Sequence, residues 1–205
     1  LESMKGFKLE NFFESKAIPI SIVGLFIGIC YSSVLSYLDA YANSINLVMA
    51  GTFFFVVYAS TVTVSRPFTG ILFDKKGENF VMYPCYILLS VGLIILSLTH
   101  QAWVLLLAGA FIGLGYGTFF ANGQAIAVKV SPNYRMGVAT STYFAFLDAG
   151  LGVGPFFLGF LRPVIGFRGI YIAMAIFAFI CLFLYYELHG KKAKQKVEDT
   201  INLSA

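Results

Sequence analysis

Apolar residues in this chain fall into six blocks, 18–38, 47–64, 80–98, 102–128, 138–161 and 170–186, separated by short polar segments. Each block approaches or exceeds the ~20 residues that a helix needs to cross a hydrocarbon core. None alternates strictly between apolar and polar residues, and each is about twice the length of a barrel strand, so the pattern predicts helices. Across all six blocks only Asp148 carries a formal charge. The predicted fold class is an all-α integral membrane protein with six transmembrane helices, a polar lead over 1–17 and a basic tail over 187–205.

Composition agrees with this pattern. Hydrophobic residues make up 59% of the 205 positions and charged residues 12%, against ~25% charged in a soluble domain. The first block follows a charged lead of 17 residues and is itself long enough to span. It is therefore expected to remain a helix, and no cleavable signal peptide is predicted. Cys30, Cys85 and Cys181 all lie inside apolar blocks, where they read as small buried side chains. No metal site or cofactor is predicted.

Charge sets the orientation. Lys5, Lys8, Lys16, Arg66, Lys75, Lys76, Lys129, Arg135, Lys191, Lys192, Lys194 and Lys196 fall on one side of the six blocks, and only Arg162 and Arg168 on the other. Cationic loops stay cytoplasmic, so both termini are expected in the cytoplasm of a cell-membrane protein. The +4 net charge is explained this way, and no nucleic-acid partner is expected. The partner expected from this pattern is the lipid bilayer.

Two stretches are informative in detail. Ser65-Arg66-Pro67-Phe68-Thr69-Gly70-Ile71-Leu72-Phe73-Asp74-Lys75-Lys76-Gly77 follows the second block. Its glycines suit a tight turn, and Asp74 can accept from helix-end N–H groups or pair with Arg66. Gly70, Leu72, Asp74, Lys75 and Gly77 resemble the G-x-L-x-D-[RK]-x-G signature of the major facilitator superfamily. Ser131 to Ala139, with Arg135 and Gly137, and the run from Asp148 through Gly150, Gly152 and Gly154 to Pro155 resemble that family's tenth-to-eleventh loop and eleventh helix. Here Met136 separates Arg135 from Gly137, a departure from the usual Arg-Gly pair. The resemblance covers 18–186. It implies the carboxy-terminal half of a twelve-helix transporter, built as two inverted three-helix repeats, with a texture closest to drug:proton antiporters. The resemblance also implies a small-molecule substrate and protons as partners, and the missing partner is then an amino-terminal six-helix half, or a second copy of this chain. The start at Leu1-Glu2-Ser3 suits an excised half.

Several residues are candidates for the mechanism. Asp148 lies about eleven residues into its block, roughly 16 Å deep at ~1.5 Å per residue. A carboxylate there costs about 2.5–3.5 kcal/mol unless paired, hydrated or protonated. Coupling to a proton or cation, a gating switch, a structural hydrogen bond and substrate contact all remain open for it. Asp39, Arg66, Asp74 and the helix-kinking Pro155 are further coupling or gating candidates. Ser32, Ser36 and Asp39 form a polar stripe at helical spacing, flanked by Tyr31 and Tyr37. Asn122 and Gln124 add neutral polar groups near Tyr116, Phe119 and Phe120. The resemblance implies that these residues face a substrate cavity suited to an amphipathic or lipophilic solute. Gly109, Gly113 and Gly117, and Gly150 and Gly154, recur every four residues, a spacing that lets helices approach closely.

Other classes fit less well. The chain has no Asn-Pro, as an aquaporin-like channel would need, and no His inside a block, as an intramembrane protease would. An enzyme is not expected. A non-transporting scaffold remains the alternative from a different class. Within transport, sugar or metabolite export is the alternative to proton-coupled drug efflux.

Overall fold

The computed structural model describes residues 12–191, 193 and 195. The leading Lys5 and Lys8, the start at Leu1, and Lys192, Lys194 and Lys196 of the basic tail lie outside the described residues. The described chain is helical almost throughout: α1 Ile18–Ser44, α2 Val48–Lys76, α3 Glu78–Ser97, α4 Ala102–Ile112, a π-helical turn Gly113–Gly117, α5 Thr118–Lys129 and α6 Met136–Tyr185, with a second π turn over Tyr186–Gly190. Five stretches are long and apolar enough to cross a membrane, the last running over Asn133–Gly190.

Two expectations from the sequence change here. First, the loop expected after the second block is helix. α2 continues through Pro67 to Lys76, so Gly70, Leu72, Asp74 and Lys75 are helical and only Gly77, at φ 85°, makes the turn. Proline removes one N–H bond from a helix interior, but the Ser65 and Thr69 hydroxyls bond to the carbonyls of Val62, Ser65 and Arg66 around it. Second, the short segment between the fifth and sixth blocks is largely helical, with a kink in place of an extended loop. The two blocks form the two arms of α6, which meet at Gly166, the one residue within it with non-helical torsions (φ 67°, ψ −178°). That conformation is open essentially to glycine alone. The torsions around Pro155, the expected kink, stay helical, and the break at Gly166 falls within the 162–169 segment between the two blocks.

Side-chain contacts give the course of the two arms. Along the first arm, Tyr143 approaches Gly24, Gly150 approaches Leu25 and Gly28, and Gly154 meets Ile29 and Ser32, so this arm runs with α1. Along the second arm, Phe167 and Tyr171 touch Tyr41 near the end of α1, and Tyr185 reaches Tyr83 and Tyr86 near the start of α3. This arm therefore runs against α1 and α3. At the same end as Phe167, the Tyr41 hydroxyl donates to the Leu96 carbonyl at 3.1 Å.

Glycine faces set the closest approaches. A Cβ at Gly28 would lie 2.5 Å from the Leu147 carbonyl oxygen, and one at Gly150 would overlap the Leu25 carbonyl. On the other side of the bundle, Gly109, Gly113 and Gly117 meet Phe54, Tyr58 and Val62 of α2, a four-residue period on each helix. Backbones this close gain dispersion and need no side-chain bulk between them, which is what drives helix association in lipid. α2 is otherwise open, with Val56, Val64 and Phe68 all exposed.

Two ion clusters tie the ends together. Buried Glu78, in the first turn of α3, accepts from Lys129 Nζ at 2.7 Å and pairs with His189 Nε2 at 2.6 Å. Arg135, before α6, pairs with buried Glu14, whose backbone N–H donates to Thr142 Oγ1 at 2.9 Å. The segment leading into α1 is thereby held on the start of α6.

Candidate functional site

An aromatic cluster lies where α1, α2, the Gly113–Gly117 turn and α6 converge, with Tyr31 and Tyr116 buried and Tyr58, Phe120 and Phe144 half-buried. Tyr31 of α1 stacks on Tyr116 with ring centroids 3.8 Å apart and an interplanar angle of 11°. Tyr58 of α2 also stacks beside Tyr31, with ring centroids 5.7 Å apart. The three glycines of the π turn let Tyr116 come this close: a Cβ at Gly113 would lie 2.9 Å from the Tyr58 carbonyl oxygen, and one at Gly115 would lie 2.5 Å from the Leu89 nitrogen. π turns inside α-helices occur frequently at functional sites. The cluster continues through Phe120, 6.2 Å from Tyr116, to Phe144 at 5.3 Å.

Asp148 stands one turn beyond Phe144 on α6. Its side chain is exposed, and the carboxylate is within electrostatic reach of Tyr116. Within this chain it is not the buried charge that its depth in the sequence suggests. Among the described residues its carboxylate takes no hydrogen bond and no ion pair.

Two hollows border the aromatics. One, of about 530 Å³ and almost wholly apolar, lies between α2 and the π turn at Thr61, Val64, Phe68 and Leu114. The other, of about 340 Å³, lies between α2 and α5 and is half polar, with Arg66, Thr69, Asn122 and Gln124 in its lining. Asn122 is buried and donates to the Thr118 carbonyl at 2.9 Å, leaving its second N–H and its carbonyl oxygen for another partner.

The structure thus gathers exposed Arg66 and Asp148 and half-buried Phe120 and Gln124 around Tyr31, Tyr116 and Asn122, which are themselves buried. Other candidates lie elsewhere. Ser32 is buried against Gly154, with its hydroxyl spent on the Ile29 carbonyl at 2.7 Å. Tyr37 donates to the Pro155 carbonyl at 3.0 Å and so ties α1 to α6. Phe119 points into the core, between Tyr86 and Tyr143. Ser36 and Asp39 are exposed near the end of α1, where Asn43 Nδ2 bonds to the Asp39 carbonyl at 2.9 Å. Asp74 is exposed and forms no ion pair with Arg66. Tyr58 and Phe144 are members that sequence reasoning missed. Tyr58 was reachable, because it sits two helical turns before Arg66 on the same face of α2.

Outside the spans, burial pushes the Glu14 carboxyl up, but the hydrogen bonds from Arg135 and the Lys16 backbone N–H, with both cations, hold it below its ordinary value. Among the described residues no group of three or more His, Cys, Asp or Glu side chains could hold a metal ion.

Comparison with known proteins places this geometry in context. The profile of the Major Facilitator Superfamily matches residues 20–202. Multidrug resistance protein MdtG of Klebsiella pneumoniae (strain 342) is 27% identical over 192 residues, covering 88% of this chain and 46% of the relative. MdtG of Dickeya zeae (strain Ech586) is 25% identical over 168 residues, covering 78% and 41%. The MFS-type transporter MJ1560 of Methanocaldococcus jannaschii is 27% identical over 188 residues, covering 91% and 47%. The chain spans about half the length of these relatives.

Proposed function

The chain belongs to the Major Facilitator Superfamily, a family of transporters and not of enzymes, and from that premise we propose that it forms one half of a proton-coupled efflux transporter for small amphipathic or lipophilic solutes. The single observation that carries this reading is the buried Tyr31–Tyr116 stack, flanked by half-buried Tyr58, within electrostatic reach of an exposed Asp148. Apolar walls with few polar groups suit an amphipathic ligand. The relatives named for multidrug resistance support efflux as the direction.

In this reading the two arms of α6 cross the membrane separately, giving six crossings. The reversal of course at Gly166 supports this, since a straight 58-residue helix would be about 87 Å long at ~1.5 Å per residue. The six crossings form two inverted three-helix repeats, with both termini in the cytoplasm of the cell membrane. A second six-helix half closes the aromatic face and alternates with this one about an axis along the membrane normal.

Asp148 carries the proton. A lone carboxylate at membrane depth is costly when ionised, so it takes a proton while the cavity is dry and releases it when the cavity opens to water. Glycine contacts between α1 and the first arm of α6 give a smooth surface on which that opening can occur. In proteoliposomes of the complete two-half transporter, Asp148→Asn is expected to lower proton-driven transport at least tenfold and to remove its pH dependence, while solute exchange without a gradient persists. Unchanged transport with unchanged pH dependence would rule the coupling role out.

A further inference from the structure

The half-polar hollow between α2 and α5 has a charge pattern that the efflux reading leaves unused. Arg66 is exposed into it, ten residues before the end of α2 at Lys76, or about 15 Å along the helix axis. Several other cations have identified partners: Lys129 holds Glu78, Arg135 holds Glu14, Arg168 bonds the Thr99 carbonyl at 3.1 Å, and Arg162 and Lys76 lie over Phe167 and Phe80, while Lys75 and Lys191 stand at helix ends. The Arg66 side chain makes no hydrogen bond or ion pair among the described residues, although its charge reaches Tyr58. The Arg66 guanidinium is exposed on the hollow with no counter-ion among the described residues, so its charge is available to a ligand.

The groups around Arg66 suit an anion. The second N–H of Asn122 and the side-chain amide of Gln124 offer neutral donors, and the lining residues include no carboxylate. Asp148 stands apart, beyond Phe120 and Phe144. Phe120 also lines the hollow and leads directly to Tyr116 and the stack. A guanidinium binds a planar or tetrahedral oxyanion through two parallel N–H bonds, and the hollow, at about 340 Å³, lies within the ~300–1,000 Å³ of small-molecule sites.

We infer that this hollow is the headgroup subsite for an amphipathic organic anion, with its sulfonate, carboxylate or phosphate on Arg66, Asn122 and Gln124 and its ring system directed along Phe120 to the tyrosine stack. The inference rests on the transport reading and narrows its substrate class.

The test is counterflow in proteoliposomes of the complete two-half transporter with two fluorescent amphipaths of opposite charge, anilinonaphthalene sulfonate and ethidium. Arg66→Gln is expected to raise the half-saturation concentration of the sulfonate at least tenfold and to leave ethidium within twofold of wild type. Arg66→Lys, which keeps the charge but not the two-pronged geometry, is expected to fall between. A monodisperse elution profile checks that each variant folds. Carriage of ethidium without the sulfonate overturns the inference and leaves the transport reading standing. Equal loss of both probes in Arg66→Gln also overturns it, since it would mark Arg66 as an ion-pair partner of the opposite half. If neither probe is carried, the inference and the amphipath-transport reading fall together.

Discussion

At the residue scale, the glycines of this chain are of two kinds that the sequence does not distinguish. Gly150 and Gly152 sit in one run, yet a Cβ at Gly150 would overlap the Leu25 backbone carbonyl, whereas one at Gly152 meets nothing within 4 Å. Backbone cannot rotate aside as a side chain can, so Gly150→Ala must separate α1 from the first arm of α6. We expect it to cost about 1–3 kcal/mol, as overpacking does. Gly152→Ala is expected to be neutral or to stabilise by up to about 1 kcal/mol through helix propensity. Melting temperatures of the two variants in the same detergent check the pair, and an equal loss in both would contradict the assignment of the contact. The tyrosines carry the same lesson. Tyr31 and Tyr37 flank one polar stripe in the sequence, but the first enters the stack and the second fastens α1 to Pro155.

At the scale of elements, helix ends decide more than helix interiors. The signature stretch reads as a loop because Pro67 and Gly70 interrupt it, yet α2 continues through both to Lys76. The turn is left to Gly77 alone. The segment before α1 is likewise more than a polar lead. Glu14 anchors it on Arg135, and Phe13 sits edge-on to Phe146 of α6 at 6.2 Å. Because the Glu14 carboxyl is held below its ordinary value of 4.5, its ionised form stabilises the fold. That contribution is complete above pH ~4.5 and is lost as pH falls through the lower folded value. The difference in melting temperature between wild type and Glu14→Gln should therefore amount to a few degrees and stay constant from pH 7 down to about 5. It should then shrink on further acidification. A difference that grew below pH ~4.5 would have the wrong sign for this clamp.

At the scale of the whole molecule, α1 is the hub, gripped by both arms of α6 that run in opposite directions. The proposed six crossings put the corner at Gly166 on the outer side and the end of α2 inside. Val164 is 80% exposed beside that corner, and Cys30, Cys85 and Cys181 are all buried, so background labelling is low. In intact cells a membrane-impermeant maleimide should label Val164→Cys from outside and Lys75→Cys only after permeabilisation. Labelling of both from the same side would exclude the topology. α2 and the first arm of α6 leave wide apolar faces exposed, among them Val64, Phe68, Val153 and Phe156.

Helical membrane class and the number of apolar blocks were set by composition and block length, because a bilayer admits few backbone solutions and each block must satisfy its own hydrogen bonds. The family was legible because Gly70 to Gly77 and Asp148 to Pro155 keep their spacing in the chain. Spacing does not specify direction around a helix axis once a π turn intervenes or a helix passes through a proline. So the tertiary structure alone decided that Tyr116 meets Tyr31 and Tyr58, that Phe119 turns into the core, that Arg66 opens into a hollow, and that Asp148 faces outward. Those outcomes depend on glycine contacts between α1 and α6 and between α2 and the π turn, where residues far apart in sequence fix each other's orientation.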